Sequence, residues 1–435
     1  MTSAAMARDA ARKTALSPAG AAGPWTLVLL ALVFGALVLS RKPEVLLHAE
    51  LWGDDGWSWY PDAYNIGAAS LLQPVNGYLN SLQRLIGLAV QPFPLTWVPT
   101  LFAGVALVVQ VLPALFLASV RMAPVWPNIF ARLLFALIMI MLPNEIEFYV
   151  NLTNAQWNLS LLAFMVLVSA PPAGAAAAVF DTFVLLLSGL SGPFCLLLIP
   201  VGLLQLWEDR STTSLWRMAV LGVTGLTQIG FLLGVPHGGR STAPLGAGPR
   251  MLARVVSLEV LLGAELGFYT IQNVYAASIW QPNAVPLTVA MIGFVLAVVA
   301  MVRGSSLVRK AALFASLVFL GALVSPQVSI DVPQWQVMAR PPMGNRYYTI
   351  PILAWVAVLF TLAADRNRWL RGIGVALLAV LLLWAVPHDW HELPMPRTDF
   401  LERARAFEAA PPGTRMEFPI HPPGLSPMVL TKRAP

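Results

Sequence analysis

Residues 284–302 read AVPLTVAMIGFVLAVVAMV, nineteen consecutive positions without a charge. A helix needs about 20 predominantly apolar residues to cross the hydrocarbon of a bilayer, so this run reads as a membrane span. Outward from it, ten further apolar segments follow the same logic: 24–40, 97–119, 127–142, 155–170, 174–189, 194–207, 217–234, 310–326, 348–364 and 372–387. The composition agrees. Of 435 residues, 57% are hydrophobic and 11% charged, with a mean hydropathy of +0.70. Soluble domains carry about a quarter charged residues. The expected fold is therefore an all-α integral membrane protein with about eleven transmembrane helices.

The remaining sequence divides around those spans. Residues 1–387 form a polytopic transmembrane domain and 388–435 a short external C-terminal tail. Two long loops interrupt the spans. The first, 41–96, contains amphipathic pieces near 61–72 and 78–90. The second, 235–283, contains Val255–Phe268, whose Glu259 and Glu265 argue for an interfacial or re-entrant helix. The tail contains a charged helical patch, Phe400–Ala409, and then a proline-rich stretch. Arg8, Arg12 and Lys13 before the first apolar run resemble a signal peptide, but Ser40-Arg41-Lys42-Pro43 is a poor cleavage site, so an uncleaved helix is expected.

With a cytoplasmic N-terminus, the short inner loops hold Arg121, Arg210, Arg217, Arg303, Arg309, Lys310, Arg366, Arg368 and Arg371, as the positive-inside rule requires. The long loops and the C-terminus then lie outside, in a bacterial inner membrane. The formal charge of +6 is spread among these loops and is not a nucleic-acid signature. The single cysteine, Cys195, lies in an apolar run and reads as a small buried hydrophobe. His237, His388 and His391 lack metal-ligand spacing, so no metal site is expected. Phosphate-cradling glycine loops and serine elbows are absent.

Four clusters carry polar chemistry. Leu51–Tyr60 reads LWGDDGWSWY. Asp54 and Asp55, between glycines and the rings of Trp57 and Tyr60, suit a general base at an interface where aromatics stack on a sugar. A solvated turn inside an aromatic belt explains the same residues about equally well. Pro143–Tyr149 supplies Glu145 and Glu147, followed by Asn151, Asn154 and Asn158. These amides suit sugar hydroxyls, or equally a helix cap and interhelical hydrogen bonds. Asp181, inside an apolar segment, suits a proton step or a structural ion pair. Finally, Gly344-Asn345-Arg346-Tyr347-Tyr348 opens a late span. A guanidinium there suits a lipid phosphate, with ordinary snorkelling as the plain alternative. Arg84, Arg240, Arg250 and Arg254 are weaker cations of the same kind.

Together these clusters resemble the GT-C superfamily of membrane glycosyltransferases. The resemblance rests on Gly53-Asp54-Asp55 in a long first loop, on Glu145 and Glu147 in the second acidic loop, and on Gly344–Tyr348. Asn151–Trp157, Leu190–Pro193 and Phe418–Gly424 are also similar to bacterial members. It implies a sugar transferred with inversion from a polyprenyl-phosphate donor to a hydroxyl of an acceptor glycan or lipid at the outer face. In that scheme Asp54 or Asp55 is the base. Arg346, Tyr347 and Arg84 bind the donor phosphate, while Glu145, Glu147, Asn154, Trp57 and Tyr60 contact substrate. No cofactor is implied beyond the donor itself. A transporter or flippase of a lipid-linked saccharide uses similar residues, as does a ligase drawing on a pyrophosphate carrier.

Overall fold

The computed structural model describes residues 23–234, 241–392 and 396–434. The basic residues Arg8, Arg12 and Lys13, together with His237 and Arg240, lie outside them. Each of the eleven apolar segments forms a helix. We label them α1 (Pro24–Arg41), α2 (Val98–Ala118), α3 (Ile129–Ile140), α4 (Ala155–Val168), α5 (Ala175–Gly189), α6 (Phe194–Asp209), α7 (Thr212–Gly234), α8 (Ala284–Arg303), α9 (Ser306–Val324), α10 (Thr349–Ala363) and α11 (Arg368–Val380). α11 continues as helix to His388. Five are long and apolar enough to cross a membrane: α2 with its preceding turn, α7, α8, α9 and the extended α11. The others are shorter, which a multi-pass membrane protein accommodates through local thinning of the bilayer and snorkelling of flanking residues.

Local sequence sets the helix ends. Asn128 caps α3 by accepting from Ala131 N, and Asn367 caps α11 by accepting from Trp369 N and Leu370 N. α4 is apolar all round and buries every residue except Gln156, so it forms the centre against α2, α5 and α6. At the other extreme, only 17% of α8 is buried, and Met291, Ile292, Phe294 and Val295 face outward. Such a surface needs an apolar solvent.

The helix Pro249–Val255 continues through a wider π-helical turn, Val256–Leu262, to Leu266, and packs on α8 and α10. Glu259 is fully buried within it, and Glu265 accepts from Trp355 Nε1 of α10 at 3.0 Å. Both carboxylates thus face protein, Glu265 with one oxygen bonded and Glu259 with neither oxygen bonded among the described residues.

Polar interactions gather at the two ends of the helices. At one end Asp181 is clasped by Arg121 (2.5 Å) and Arg217 (2.8 Å), joining the ends of α5 and α7 to the turn after α2. Lys310–Glu208 and Arg303–Asp365 lie at the same end of the helices. At the opposite end lie the long loops and the tail. Among the described residues the tail carries the only named sheet, β1 (Arg415–Phe418) paired antiparallel with β2 (Met428–Thr431), behind the helix α12 (Phe400–Ala409). Phe400, Phe407 and Phe418 form their small core.

Candidate functional site

The first loop folds as a scaffold of short helices. Gly53, at φ +47°, turns the chain so that Asp54 starts a π-helical segment, Asp55–Trp59, followed by Tyr60–Ile66. The helix Ser81–Ala89 crosses it so closely that a Cβ on Gly87 would collide with the carbonyl of Trp59. Two other segments hold the turn. The backbone of His421 bonds to Leu51 and Gly53, and Thr153 Oγ1 donates to Asp55 Oδ1 at 2.8 Å.

The adjacent acids consequently have different roles. Asp55 is buried, with Oδ1 held by Thr153 and Oδ2 accepting from Trp52 N at 3.3 Å. Burial pushes its pKa up to about 7, the Thr153 and Trp52 bonds acting in the opposite direction. Asp54 is only half-buried, and among the described residues its carboxylate has no hydrogen-bond partner. Burial also raises its pKa, while Arg346 and then Arg84 draw it down. Asp54 therefore lies within electrostatic reach of a cation almost three hundred residues further along the chain.

Arg346 is carried by a short turn after Gly344, whose φ of +72° starts the approach to α10. Its guanidinium pairs with Glu147, donates to Gln327 O at 2.8 Å and to Tyr347 Oη at 3.2 Å, and lies 4.6 Å from the Tyr347 ring centroid. Asn345 fixes the turn from below, donating to Asn144 O at 2.6 Å and accepting from Ile146 N. Glu147 is fixed in turn: Asn151 and Asn154 both donate to its carbonyl, at 2.8 and 3.0 Å. Val150 nearby has φ +42°, a left-handed conformation rare for a β-branched residue, with its N–H bonded to Gln110 Oε1. The loop is held there by its surroundings.

The structure thus brings Glu147, Arg346 and Tyr347 into contact, and Asp54 lies within the field of Arg346. Four other expected site residues are positioned differently. Arg84 is 1% exposed, bonded to Asp62, Ser58 O and Gln73 O and stacked on Trp59, so its fork is used inside the first loop. Tyr60 is buried against Tyr64 and offers no face to a sugar. Asn154 is buried and used by Glu147 O and Asn151. Glu145 is buried behind the loop, with burial raising its pKa to about 8 and Arg41 opposing that rise. Trp57 stays exposed, its Nε1 donating to Ser426 O of the tail at 2.7 Å.

Two residues that sequence reading assigned no role bear on the site. Thr153 sets the geometry of Asp55. His421 joins the tail to the first loop, with Nε2 2.9 Å from Glu50 Oε2. Asp181, weighed as a proton carrier, is clasped by two arginines at the other end of the molecule.

The arrangement is that of a helical protein with five helices long and apolar enough to cross a membrane, carrying a cluster of carboxylates and a guanidinium at one end. No protein-family model matches the chain, and neither does any curated protein.

Proposed function

We propose that the chain is a membrane glycosyltransferase of GT-C type, with eleven spans, a cytoplasmic N-terminus and an external C-terminus in a bacterial inner membrane. It moves a sugar from a polyprenyl-phosphate donor to an acceptor hydroxyl at the outer face. The acceptor oxygen attacks the anomeric carbon as its proton passes to Asp54. The bond from that carbon to the phosphate oxygen breaks, and polyprenyl phosphate leaves with the electron pair, giving inversion. Arg346 compensates the charge developing on the leaving group, with Glu147 and Tyr347 holding its guanidinium in place. Asp55 positions the turn and takes no proton from the acceptor.

One observation supports this reading above the rest: Asp54, a carboxylate with no hydrogen-bond partner among the described residues, feels the field of Arg346 from a remote segment. A free base beside a cation suits a reaction that removes a proton and releases a phosphate. The test uses purified protein with a labelled polyprenyl-phosphate sugar and measures free polyprenyl phosphate. A positioned base contributes about 10²–10⁴-fold, so Asp54→Asn should lower turnover on that scale. Asp55→Asn should lose much less rate while destabilising the fold. Undiminished turnover in Asp54→Asn overturns the assignment.

A further inference from the structure

A cavity of about 680 Å³ opens at the inner end of the helices, walled by Trp126, Phe135, Phe164, Leu307 and Phe360. α10 runs from Thr349, beside Arg346, to Ala363 near the cavity mouth. At 1.5 Å per residue, Ala357, where α10 first lines this cavity, lies about 12 Å along the helix from Thr349, and the mouth near Ala363 about 21 Å. Trp126, Phe135 and Phe360 pack edge to face on one another, with centroids 5.4–5.7 Å apart, so this wall is preformed. A smaller hollow sharing Phe135, Phe164 and Ala311 extends along α10 toward Leu353 and Ile350. The combined space is elongated and apolar along its depth.

Polar groups are confined to the mouth. Arg303 is paired with Asp365 at 2.5 and 2.8 Å. Arg366 is exposed beside it and, among the described residues, forms no ion pair. Two guanidinium groups therefore face one carboxylate at the mouth. Thr361, the polar side chain deeper in, bonds to its own helix at Ala357 O. A polar soluble ligand would find nothing inside to orient it. A hydrocarbon chain with an anionic head group satisfies both the interior and the rim.

We propose that this cavity holds an acyl chain of an anionic membrane phospholipid, whose phosphate sits between Arg303 and Arg366. The site is independent of the transferase reading. The test is native mass spectrometry of the purified full chain in mild detergent, titrated with phosphatidylglycerol or with phosphatidylcholine of identical acyl chains. Phosphatidylglycerol should be retained preferentially, and Arg366→Glu should lower that retention about fivefold while leaving phosphatidylcholine unchanged. Ala357→Trp fills the cavity and should abolish retention of both. Ala311→Phe, from the facing wall on α9, makes the same test if the first variant does not fold. Equal retention of the two lipids by the unaltered protein, or full retention of phosphatidylglycerol by a correctly folded filled variant, overturns the proposal.

Discussion

Asp54 and Asp55 are the same residue type at adjacent positions, and one-dimensional reading gives no means of separating them. The separation comes from Thr153, about a hundred residues away, which takes one oxygen of Asp55 and leaves Asp54 free. The burial of Arg84 and Tyr60 was not legible for a similar reason. The amphipathic pieces of the first loop were legible, but which side faces the interior depends on the crossing at Gly87. Two predictions belong at this scale. Asp55 and Glu145 have pKa values raised by burial to about 7 and about 8, so the folded state binds more protons than the unfolded one above the ordinary carboxylate range. Stability should therefore fall as pH rises from about 4 toward 8, and Asp55→Asn should flatten part of that slope in melts of the detergent-purified protein. Rate has the opposite sign. If Asp54 is the base, turnover rises with pH as it ionises. Arg346→Gln, by removing a cation that favours the carboxylate, should move that rise to higher pH in the residual activity. An unmoved pH profile would uncouple the two residues.

Among the elements, the long apolar helices were the most legible part of the chain, because a bilayer imposes both length and hydrophobicity on whatever crosses it. The helix Phe400–Ala409 was legible from its charge pattern. The β1–β2 hairpin was not. Its strands are four residues each, so the alternation they carry, with Arg415 and Glu417 exposed and Phe418, Met428 and Leu430 buried, is too short to stand out. What reads as a proline-rich tail is a folded unit docked on the first loop through His421, Ile420 and Ser426. A Cβ on Gly56 would lie 2.5 Å from Ile420 Cγ2. Gly56→Val should therefore loosen the docking and increase proteolysis of the first loop, leaving the spans protected. At the other end, Asp181→Asn leaves two arginines without their shared counter-ion. Removing one partner of a buried pair costs about 3–5 kcal/mol, so a large loss of unfolding free energy is expected. Unchanged stability would return Asp181 to the role of a free ionisable group.

For the whole molecule, the separation of chemistry into two ends follows from the cost of polar groups in hydrocarbon. The loops could be assigned to ends from charge alone. Their convergence on one cluster could not, since nothing local in Pro143–Tyr149 specifies that Glu147 meets Arg346. The proposed orientation can be measured in a Cys195→Ala background. A cysteine at Ser426 should react with an impermeant thiol reagent on intact cells, while one at Arg371 should react only after permeabilisation. Labelling of both from the same side would overturn the membrane arrangement.

The parallel bridge between Trp52 and His421 joins a segment made early to one made late. During synthesis the helical core can insert and pack well before residue 421 leaves the ribosome. The turn carrying Asp54 receives its final backbone partners only afterward. A chain interrupted near residue 400 should accordingly reach the membrane and resist extraction, yet be inactive. Quality control that senses only insertion would not detect the defect.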